Sequence, residues 1–191
     1  MRFADGSSMR LYRQTVEDFG LYSGLELTEA EMTKLKKAAG EMSAKMRAVR
    51  IVAATSVSKK DLEQRLLQKG ETRADAQNAV AWMSDMQLVD DRKTADQVVA
   101  KCISKGYGLS RAKQALFEKR IPKEYWDEAL ADYPDQADAI MQYLQAHLSA
   151  DADPRDVKKA IDALIRRGHS YGKIRCALDR LSMETEYLPE G

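Results

Sequence analysis

Side chains able to do acid–base, nucleophilic or metal chemistry are sparse and scattered in this sequence. There are only two histidines, His147 late in an amphipathic segment and His169 directly after a glycine, and we interpret both as solvated residues at helix ends. Cys102 and Cys176 stand singly inside helical patterns, which excludes a CxxC motif or a cysteine metal site and argues against a structural disulfide. The sequence therefore predicts no enzyme, no metal site and no cofactor.

Three short strings look like chemical motifs, but each is better explained structurally. Segment 168–174 is one residue short of a phosphate-binding P-loop and follows a helical pattern rather than a strand. Segment 106–108 lacks the third glycine of a dinucleotide fingerprint, so we interpret it as a turn or hinge. The adjacent carboxylates Asp90 and Asp91 point apart at a helix–helix junction, and we interpret them as a cap for a helix that begins near Arg92.

Charge is distributed unevenly along the chain, although the net charge is only +1. Residues 41–120 carry 16 lysines and arginines against 10 acids, whereas residues 121–153 carry one lysine against eight acids. Such polarity concerns partner binding more than folding. No apolar stretch is long enough to span a membrane, and residues 1–6 lack the apolar core of a signal peptide. We therefore expect a cytoplasmic monomer that does not bind membranes.

An internal repeat organises the last two thirds of the chain. With Gly70, Arg120 and Gly168 as anchors, the positions 8, 4 and 3 residues before and 6, 9, 10 and 13 residues after the anchor are apolar in all three copies. These spacings are the faces of two helices on either side of a tight turn. The glycines suit a left-handed helix end, whereas Arg120 must adopt the turn with strain or turn differently. We expect all seven apolar columns to be buried in packing.

The elements around each anchor turn can be read from the same pattern. Residues typical of helix starts precede both helices of each copy: Ser58, Ser110 and Asp153-Pro154 before the first, and Thr72, Pro122 and Ser170 before the second. A further amphipathic helix lies upstream of each pair, over 42–54, 93–104 and 136–148. The predicted fold class is mainly α, with three tandem three-helix repeats that form an elongated, curved helical array.

The first forty residues differ from the rest. Residues 3–12 predict two short β-strands around an Asp5-Gly6 turn, and Thr28 with Glu31 predicts a capping box that opens a helix over 29–39. We therefore divide the chain into five segments: an N-terminal hairpin-and-helix cap at 1–40, three-helix repeats at 41–91, 92–135 and 136–182, and a C-terminal tail at 183–191.

The junction Leu88-Val89-Asp90-Asp91-Arg92-Lys93-Thr94-Ala95 is the most distinctive string in the chain. With Lys105-Gly106 and Leu116-Phe117-Glu118-Lys119-Arg120-Ile121 at these distances, it resembles the RecX family of bacterial recombination regulators, over residues 1–181. Thr94 stands where the family usually has Tyr or Phe, and Arg120 where it usually has Gly. The resemblance implies a non-catalytic protein that binds the RecA recombinase, particularly its filament on single-stranded DNA, and inhibits ATPase activity and strand exchange. Recombination, DNA repair and the SOS response would thereby be modulated.

The residues expected to contact RecA or DNA are exposed cations of the helical copies. They are Lys59, Lys60, Arg65, Lys69, Lys101, Lys105, Arg111, Lys113, Arg166, Arg167, Lys173 and Arg175. Two pairs rank highest because they are clustered: Lys101 with Lys105, one helical turn apart, and Arg166 with Arg167.

Two other functions stay open. A helical-repeat protein could act directly on single- or double-stranded DNA, with weak phosphate contacts through the basic segment. Against this, segment 123–128 is acidic where a groove-reading helix should be basic, and a net charge of +1 is low for a dedicated DNA-binding protein. A generic helical scaffold is the third interpretation, favoured if neither RecA nor DNA responds to the protein.

Overall fold

The computed structural model describes residues 1–3, 6–149 and 152–186, with side chains up to residue 182. This part of the chain is mainly helical, and none of its helices is long and apolar enough to cross a lipid bilayer. The chain divides into two compact units, Met1–Asp91 and Arg92–Gly191. In chain order the helices are α1 Arg13–Asp18, α2 Glu29–Ala54, α3 Lys59–Gln68, α4 Arg73–Asp85, α5 Asp91–Ser104, α6 Leu109–Glu118, a 3-10 turn Lys123–Tyr125, α7 Trp126–Leu130, α8 Ala137–His147, α9 Pro154–Arg166 and α10 Tyr171–Glu186.

The N-terminal segment lacks the two predicted β-strands. Arg2 and Ser8 form one isolated antiparallel bridge, and the amide of Gly6 donates to the carbonyl of Phe3 at 3.1 Å. The described residues contain no strand, and Ala4 and Asp5 of the predicted turn lie outside them. A two-stranded hairpin is at best marginally stable in water, and this segment is too short to add a third strand.

The first unit is built around one long helix, α2, which the sequence predicted as two. The predicted capping box opens it: the amide of Glu31 donates to Thr28 Oγ1 at 3.3 Å, and Glu31 Oε2 accepts from the amide of Thr28 at 2.9 Å. The helix does not end near Gly40. Because glycine has no side chain, another helix can pack closely against α2 at this position. A Cβ at Gly40 would lie 2.8 Å from Oδ2 of Asp75, so this glycine admits the start of α4 against α2.

Helices α2, α3 and α4 enclose the core of the first unit. Ala44 and Ala48 of α2 and Ala76 and Ala79 of α4 are at most 1% exposed, and their small side chains let the two helices approach closely. Larger apolar residues complete this cluster: Val57, Leu62, Leu66, Met83 and Val89.

Four of the residues predicted at helix starts are confirmed as caps. Ser58, Thr72, Asp153 and Ser170 each accept, through a side-chain oxygen, the backbone amide three residues later, and so satisfy an otherwise unpaired donor. Helix α6 begins at Leu109, next to the start predicted near Ser110, and its N-cap is Gly108 in an extended conformation. After Pro122 the chain forms a 3-10 turn before the short helix α7.

Asp91 lies at the start of the helix predicted for it and also contacts a second helix, α3. It is the first residue of α5, and its carboxylate accepts the backbone amide of Lys59, the first residue of α3, at 2.8 Å. Only 7% of Asp91 is exposed. A carboxylate at a helix N-terminus is favoured by the unpaired amides and the helix dipole. The cap predicted for the 90–91 pair stays a prediction, and the contact with Lys59 joins residues 32 apart.

The second unit contains two apolar clusters. One consists of Ala95, Val99, Leu116 and Ile121, with Trp126, Leu130 and Tyr133 packed against it. The other consists of Ile140, Leu144, Ala160, Leu164, Ile174 and Ala177. Helix α10 continues through residues that were assigned to the C-terminal tail, and residues 187–191 of that tail lie outside the described chain.

Six of the seven apolar columns are buried or half-buried in all three copies. The exception is the position three residues before the anchor, where Leu67 packs against the first unit's core but Phe117 is 71% exposed and Ile165 is 47% exposed. The prediction that every column is buried is therefore wrong here. Residues 8 and 4 before the anchor share one helix face, whereas the residue 3 before it lies at the edge of that face.

Candidate interaction site in the second unit

The anchor turns share one hydrogen-bond pattern. At Gly168, whose φ is +87°, the amide donates to Ile165 at 2.9 Å and the next amide donates to Leu164 at 3.1 Å. The same two bonds occur at Gly70 and at Arg120. This is the Schellman geometry, which pairs the last carbonyls of a helix. Arg120 adopts it at φ +55°, so the prediction of a strained arginine in the middle turn is confirmed.

A further turn, Lys105–Gly108, is held on all four residues by groups from elsewhere in the second unit. Arg167 Nη2 donates to the carbonyl of Lys105 at 2.8 Å, and His169 Nε2 lies 3.1 Å from the carbonyl of Gly106. The hydroxyl of Tyr133 donates to the carbonyl of Tyr107 at 2.7 Å, and the amide of Gly108 donates to the carbonyl of Arg167 at 2.8 Å. The 106–108 segment, predicted as a turn or hinge, is therefore a firmly bonded turn.

Two glycines make this contact sterically possible. A Cβ on Gly108 would lie 2.0 Å from the carbonyl oxygen of Gly168, and a Cβ on Gly168 would lie 2.4 Å from the amide nitrogen of Arg111. Both neighbours are backbone, which cannot move aside as the end of a side chain can. The start of α6 and the end of α9 thus meet main chain to main chain.

Arg167 is the centre of a cation and aromatic cluster beside this turn. Its guanidinium carbon lies 5.5 Å from the ring centre of Tyr107 and 5.3 Å from that of Tyr143. The ring of His147 stacks on Tyr143 with centroids 4.0 Å apart, and Lys105 Nζ lies 6.0 Å from the ring centre of Tyr107. Such contacts hold a cation in a fixed place while leaving part of its charge available to a partner.

His169 is buried, contrary to the prediction that it is a solvated helix-end residue. Only 6% of it is exposed, and its Nδ1 has no hydrogen-bond partner among the described residues. Burial lowers the pKa of His169, the bond to Gly106 opposes that effect, and the charges of Arg167 and Lys173 lower the pKa further. The neutral imidazole with its proton on Nε2 is the form that suits this position. His147, in contrast, is exposed as predicted.

Burial also raises the pKa of two groups near the turn. It raises the pKa of Tyr133 to about 12, with a smaller contribution from Cys102. Desolvation raises the pKa of the buried Cys102 thiol, although the cations Arg111, Lys105 and Lys101 act in the opposite direction. Both cysteines are free, and Cys176 is exposed. Because their pKa values are raised, neither Tyr133 nor Cys102 is poised as a nucleophile or as a proton donor at neutral pH.

The structure places five of the predicted contact residues around the turn. Lys101, Lys105 and Arg111 lie close enough to Cys102 to affect its thiol, and Arg167 bonds directly to Lys105. Arg166 is the exposed neighbour of Arg167 at the end of α9. We call these five residues the cation cluster. Part of its charge is balanced, because Arg111 pairs with Glu118 at 3.0 Å.

The remaining predicted contact residues are not gathered there. Arg65 pairs with Asp61 at 3.0 Å, and Lys173 pairs with Asp135 at 2.7 Å. Lys60, Lys113 and Arg175 are exposed, without a side-chain hydrogen bond or ion pair in the part of the chain that is described. Lys59 and Lys69 are also exposed, both in the first unit. Whether any of the twelve contacts a partner stays a prediction.

Sequence reasoning missed the aromatic half of the site. Tyr107, Tyr133 and Tyr143 were not singled out, although all three are half-buried and contact the turn or its arginine. The available signal was Tyr107 between two glycines beside Lys105. A tyrosine in a short turn next to a lysine is well placed for a cation–π contact.

The described residues form a mainly helical protein, in which aromatic rings and backbone carbonyls of the second unit contact cationic side chains. No family model matches the chain. It is 26% identical over 151 residues to a regulatory protein RecX of Vibrio parahaemolyticus, covering 75% of this chain and 94% of the relative. It is 31% identical over 96 residues to that of Cronobacter sakazakii, covering 45% and 58%.

Two solved structures share the fold. The crystal structure of a regulatory protein RecX matches with a TM-score of 0.66 at 19% identity, covering 88% of this chain and 86% of that one. The crystal structure of RecX from Lactobacillus salivarius matches with a TM-score of 0.62 at 19% identity, covering 76% and 99%. These similarities support the RecX family, as the resemblance around the 88–95 junction predicted.

Proposed function

We propose that this protein regulates the RecA recombinase by binding its filament on single-stranded DNA and inhibiting ATPase activity and strand exchange. In this way it modulates recombination, DNA repair and the SOS response. One observation carries the proposal: the chain spans nearly the full length of relatives named regulatory protein RecX. It acts by binding, without catalysis of its own.

The cation cluster is the proposed contact surface for the filament. Arg167 is held by the ring of Tyr107 and by its hydrogen bond to the carbonyl of Lys105, so little side-chain freedom is lost when it meets a partner, and Lys105 Nζ lies 6.0 Å from the same ring centre. Lys101 and Arg166 are exposed beside them. Cations around fixed aromatic rings match the composition of interaction hot spots and complement an acidic surface.

The tandem repeat bears on how the protein would lie on the filament. The three anchor turns have the same hydrogen bonds, and six apolar columns are at least half-buried in every copy. These regularities support three related helix triplets, each able to present the same faces. Repeated faces suit a filament of identical subunits, because successive triplets would meet successive subunits.

An ATPase assay tests the main proposal. RecA from the same organism is assembled on single-stranded DNA, and the protein is titrated from substoichiometric to equimolar amounts. The expected result is progressive inhibition of ATP hydrolysis and of strand exchange. Unchanged hydrolysis at equimolar protein would exclude RecA regulation by this route.

Charge reversals test the cation cluster as the contact surface. We expect Lys105→Glu and Arg166→Glu each to raise the protein concentration needed for half-inhibition about tenfold, because each replaces attraction by repulsion at the interface. The matched control is Arg155→Glu, at the opposite end of the same helix as Arg166, about 16 Å away along its axis. Equal losses in the variants and the control would mean that the cluster is not the contact surface.

Direct action on DNA is the second candidate function. The observation in its favour is the same cluster, since cations beside tyrosines suit phosphates and stacked bases. Binding to plain single-stranded DNA should then fall steeply between low and moderate salt, because phosphate contacts release counterions. Binding that is absent at low salt would remove this candidate and leave the RecA proposal intact.

A further inference from the structure

The first unit contains an open groove of about 780 Å³, and none of its lining residues belongs to the cation cluster. One wall is the irregular segment 9–12, and the other is formed by α2 and the end of α3. Its lining includes four cationic side chains, Arg10, Arg47, Arg50 and Lys69, and no acidic side chain.

One of these cations is fixed in place. Arg47 Nε pairs with Glu71 Oε1 at 2.7 Å, and Arg47 Nη1 donates to the carbonyl of Lys69 at 2.7 Å. Glu71 is in turn held by the hydroxyl of Ser43 at 2.8 Å, and its side chain is only 7% exposed. Arg47 therefore needs no rearrangement to offer its remaining N–H groups to the groove.

The other three cations leave the groove with uncompensated positive charge. Glu71 balances Arg47, but Arg10, Arg50 and Lys69 are exposed and have no ion pair within the described chain. Three positive side chains around one depression attract carboxylates or phosphates, and the attraction weakens with added salt.

The walls between the cations distinguish these two ligand chemistries. Met9, Leu11 and Ile51 are aliphatic and half-buried, whereas Tyr12 is the only aromatic side chain in the lining. Single-stranded nucleic acids are bound on successive aromatic platforms, which this groove lacks. In addition, the backbone amides of Arg10 and Leu11 make no hydrogen bond to any described residue, so they are available to pair with an extended chain.

We propose that this groove binds an extended peptide segment in which carboxylates alternate with aliphatic side chains. The carboxylates meet Arg10, Arg50 and Lys69, and the aliphatic side chains rest on Leu11 and Ile51. The backbone of segment 9–12 pairs with the peptide backbone. This proposal goes beyond RecA regulation and does not depend on it.

The test measures fluorescence anisotropy of labelled probes titrated with the full-length protein. The probes are a capped peptide of alternating glutamate and leucine, a peptide of equal length and charge that alternates glutamate and serine, and an oligothymidylate. The groove variants are Arg10→Glu and Arg50→Glu. The control is Lys36→Glu, an exposed cation on the same helix as Arg50 and outside the groove lining. Thermal unfolding of each variant shows that it is folded.

We expect the glutamate–leucine peptide to bind, and each groove reversal to weaken it about fivefold or more while Lys36→Glu changes it less than about twofold. The glutamate–serine peptide should bind about fivefold more weakly, because it lacks the aliphatic contacts. Equal binding of the two peptides, or equal effects of all three reversals, overturns the proposal. Tighter binding of the oligothymidylate with the same dependence on Arg10 and Arg50 overturns it in favour of a nucleic-acid groove. Because no RecA is present, any of these outcomes leaves the ATPase test unaffected.

Discussion

The turns at Gly70 in the first unit and Gly168 in the second have nearly the same backbone, with φ of +86° and +87° and the same pair of hydrogen bonds. Their surroundings differ. A Cβ on Gly70 would meet no atom within 4 Å, whereas a Cβ on Gly168 would overlap the backbone of Arg111. Both turns end a helix and take part in side-chain hydrogen bonds with other parts of the chain, but of these two only the turn at Gly168 carries a close main-chain contact between helices. Two turns with the same local sequence signal can therefore make very different tertiary contacts.

The largest expected effect is a difference in unfolding free energy between alanine substitutions at these two turns. Gly168→Ala should lower the free energy of unfolding by about 3 kcal/mol, because left-handed strain adds to an overlap that only a backbone shift can relieve. Gly70→Ala should cost about 1 kcal/mol, from the strain alone. Urea unfolding of the full chain measures both. Equal costs would show that the close approach at Gly168 does not constrain the second unit.

The next effect concerns the side chain that holds the Lys105–Gly108 turn. Arg167→Ala should cost about 2 kcal/mol, since it removes two cation–π contacts and the bond to the carbonyl of Lys105. The carbonyl of residue 167 still accepts from Gly108, so the main-chain contact survives. Arg166→Ala, the exposed neighbour, should change stability by less than about 0.5 kcal/mol. A comparable loss in both variants would argue against the stacked arrangement.

A smaller effect depends on pH. The pKa of His169 is lowered in the folded protein, so the unfolded chain binds more protons than the folded one in the pH range just below 6.5. Stability is then complete above pH 6.5 and falls as the pH decreases toward the lowered pKa. Between pH 7.5 and pH 6 this single group contributes less than about 1 kcal/mol. Urea unfolding at both pH values checks this.

The control for the pH effect is His169→Gln, whose side-chain amide still reaches a carbonyl but does not titrate. Its unfolding free energy should change less between the two pH values than that of the unaltered protein. An unchanged pH dependence would assign the effect to another group.

The contrast between the turns also shows what the sequence could reveal. The helices, the capping residues Thr28, Ser58, Thr72 and Asp153, and the strained turn at Arg120 follow from local rules, and all are present. The continuity of α2 through Gly40 was missed, because the neighbour that packs at this glycine, Asp75, lies 35 residues away in the sequence. Local propensity carries no information about such a neighbour.

The site was predictable to a similar degree. The pairing of Lys101 with Lys105 and of Arg166 with Arg167 drew attention to the part of the second unit in which Arg167 bonds to Lys105, and their role in binding stays a prediction. The contact between Lys105 and Arg167 and the burial of His169 depend on residues about 60 positions apart, and the bond from Tyr133 to Tyr107 joins residues 26 apart. Periodicity cannot align residues so far apart. Exposure of Phe117 was missed for another reason: apolarity in a repeat column was equated with burial.

The smallest expected effect comes from a substitution that introduces glycine into a left-handed turn, the reverse of Gly70→Ala. Gln87 ends α4 in the same Schellman geometry at φ +56°, and its exposed side chain makes no hydrogen bond or ion pair to the described residues. Gln87→Gly should raise the free energy of unfolding by about 0.5 kcal/mol, because relief of left-handed strain exceeds the added entropy of the unfolded chain. Gln87→Ala keeps a Cβ in the same conformation and should be nearly neutral. A loss of stability in the glycine variant would show that this turn tolerates a side chain without strain.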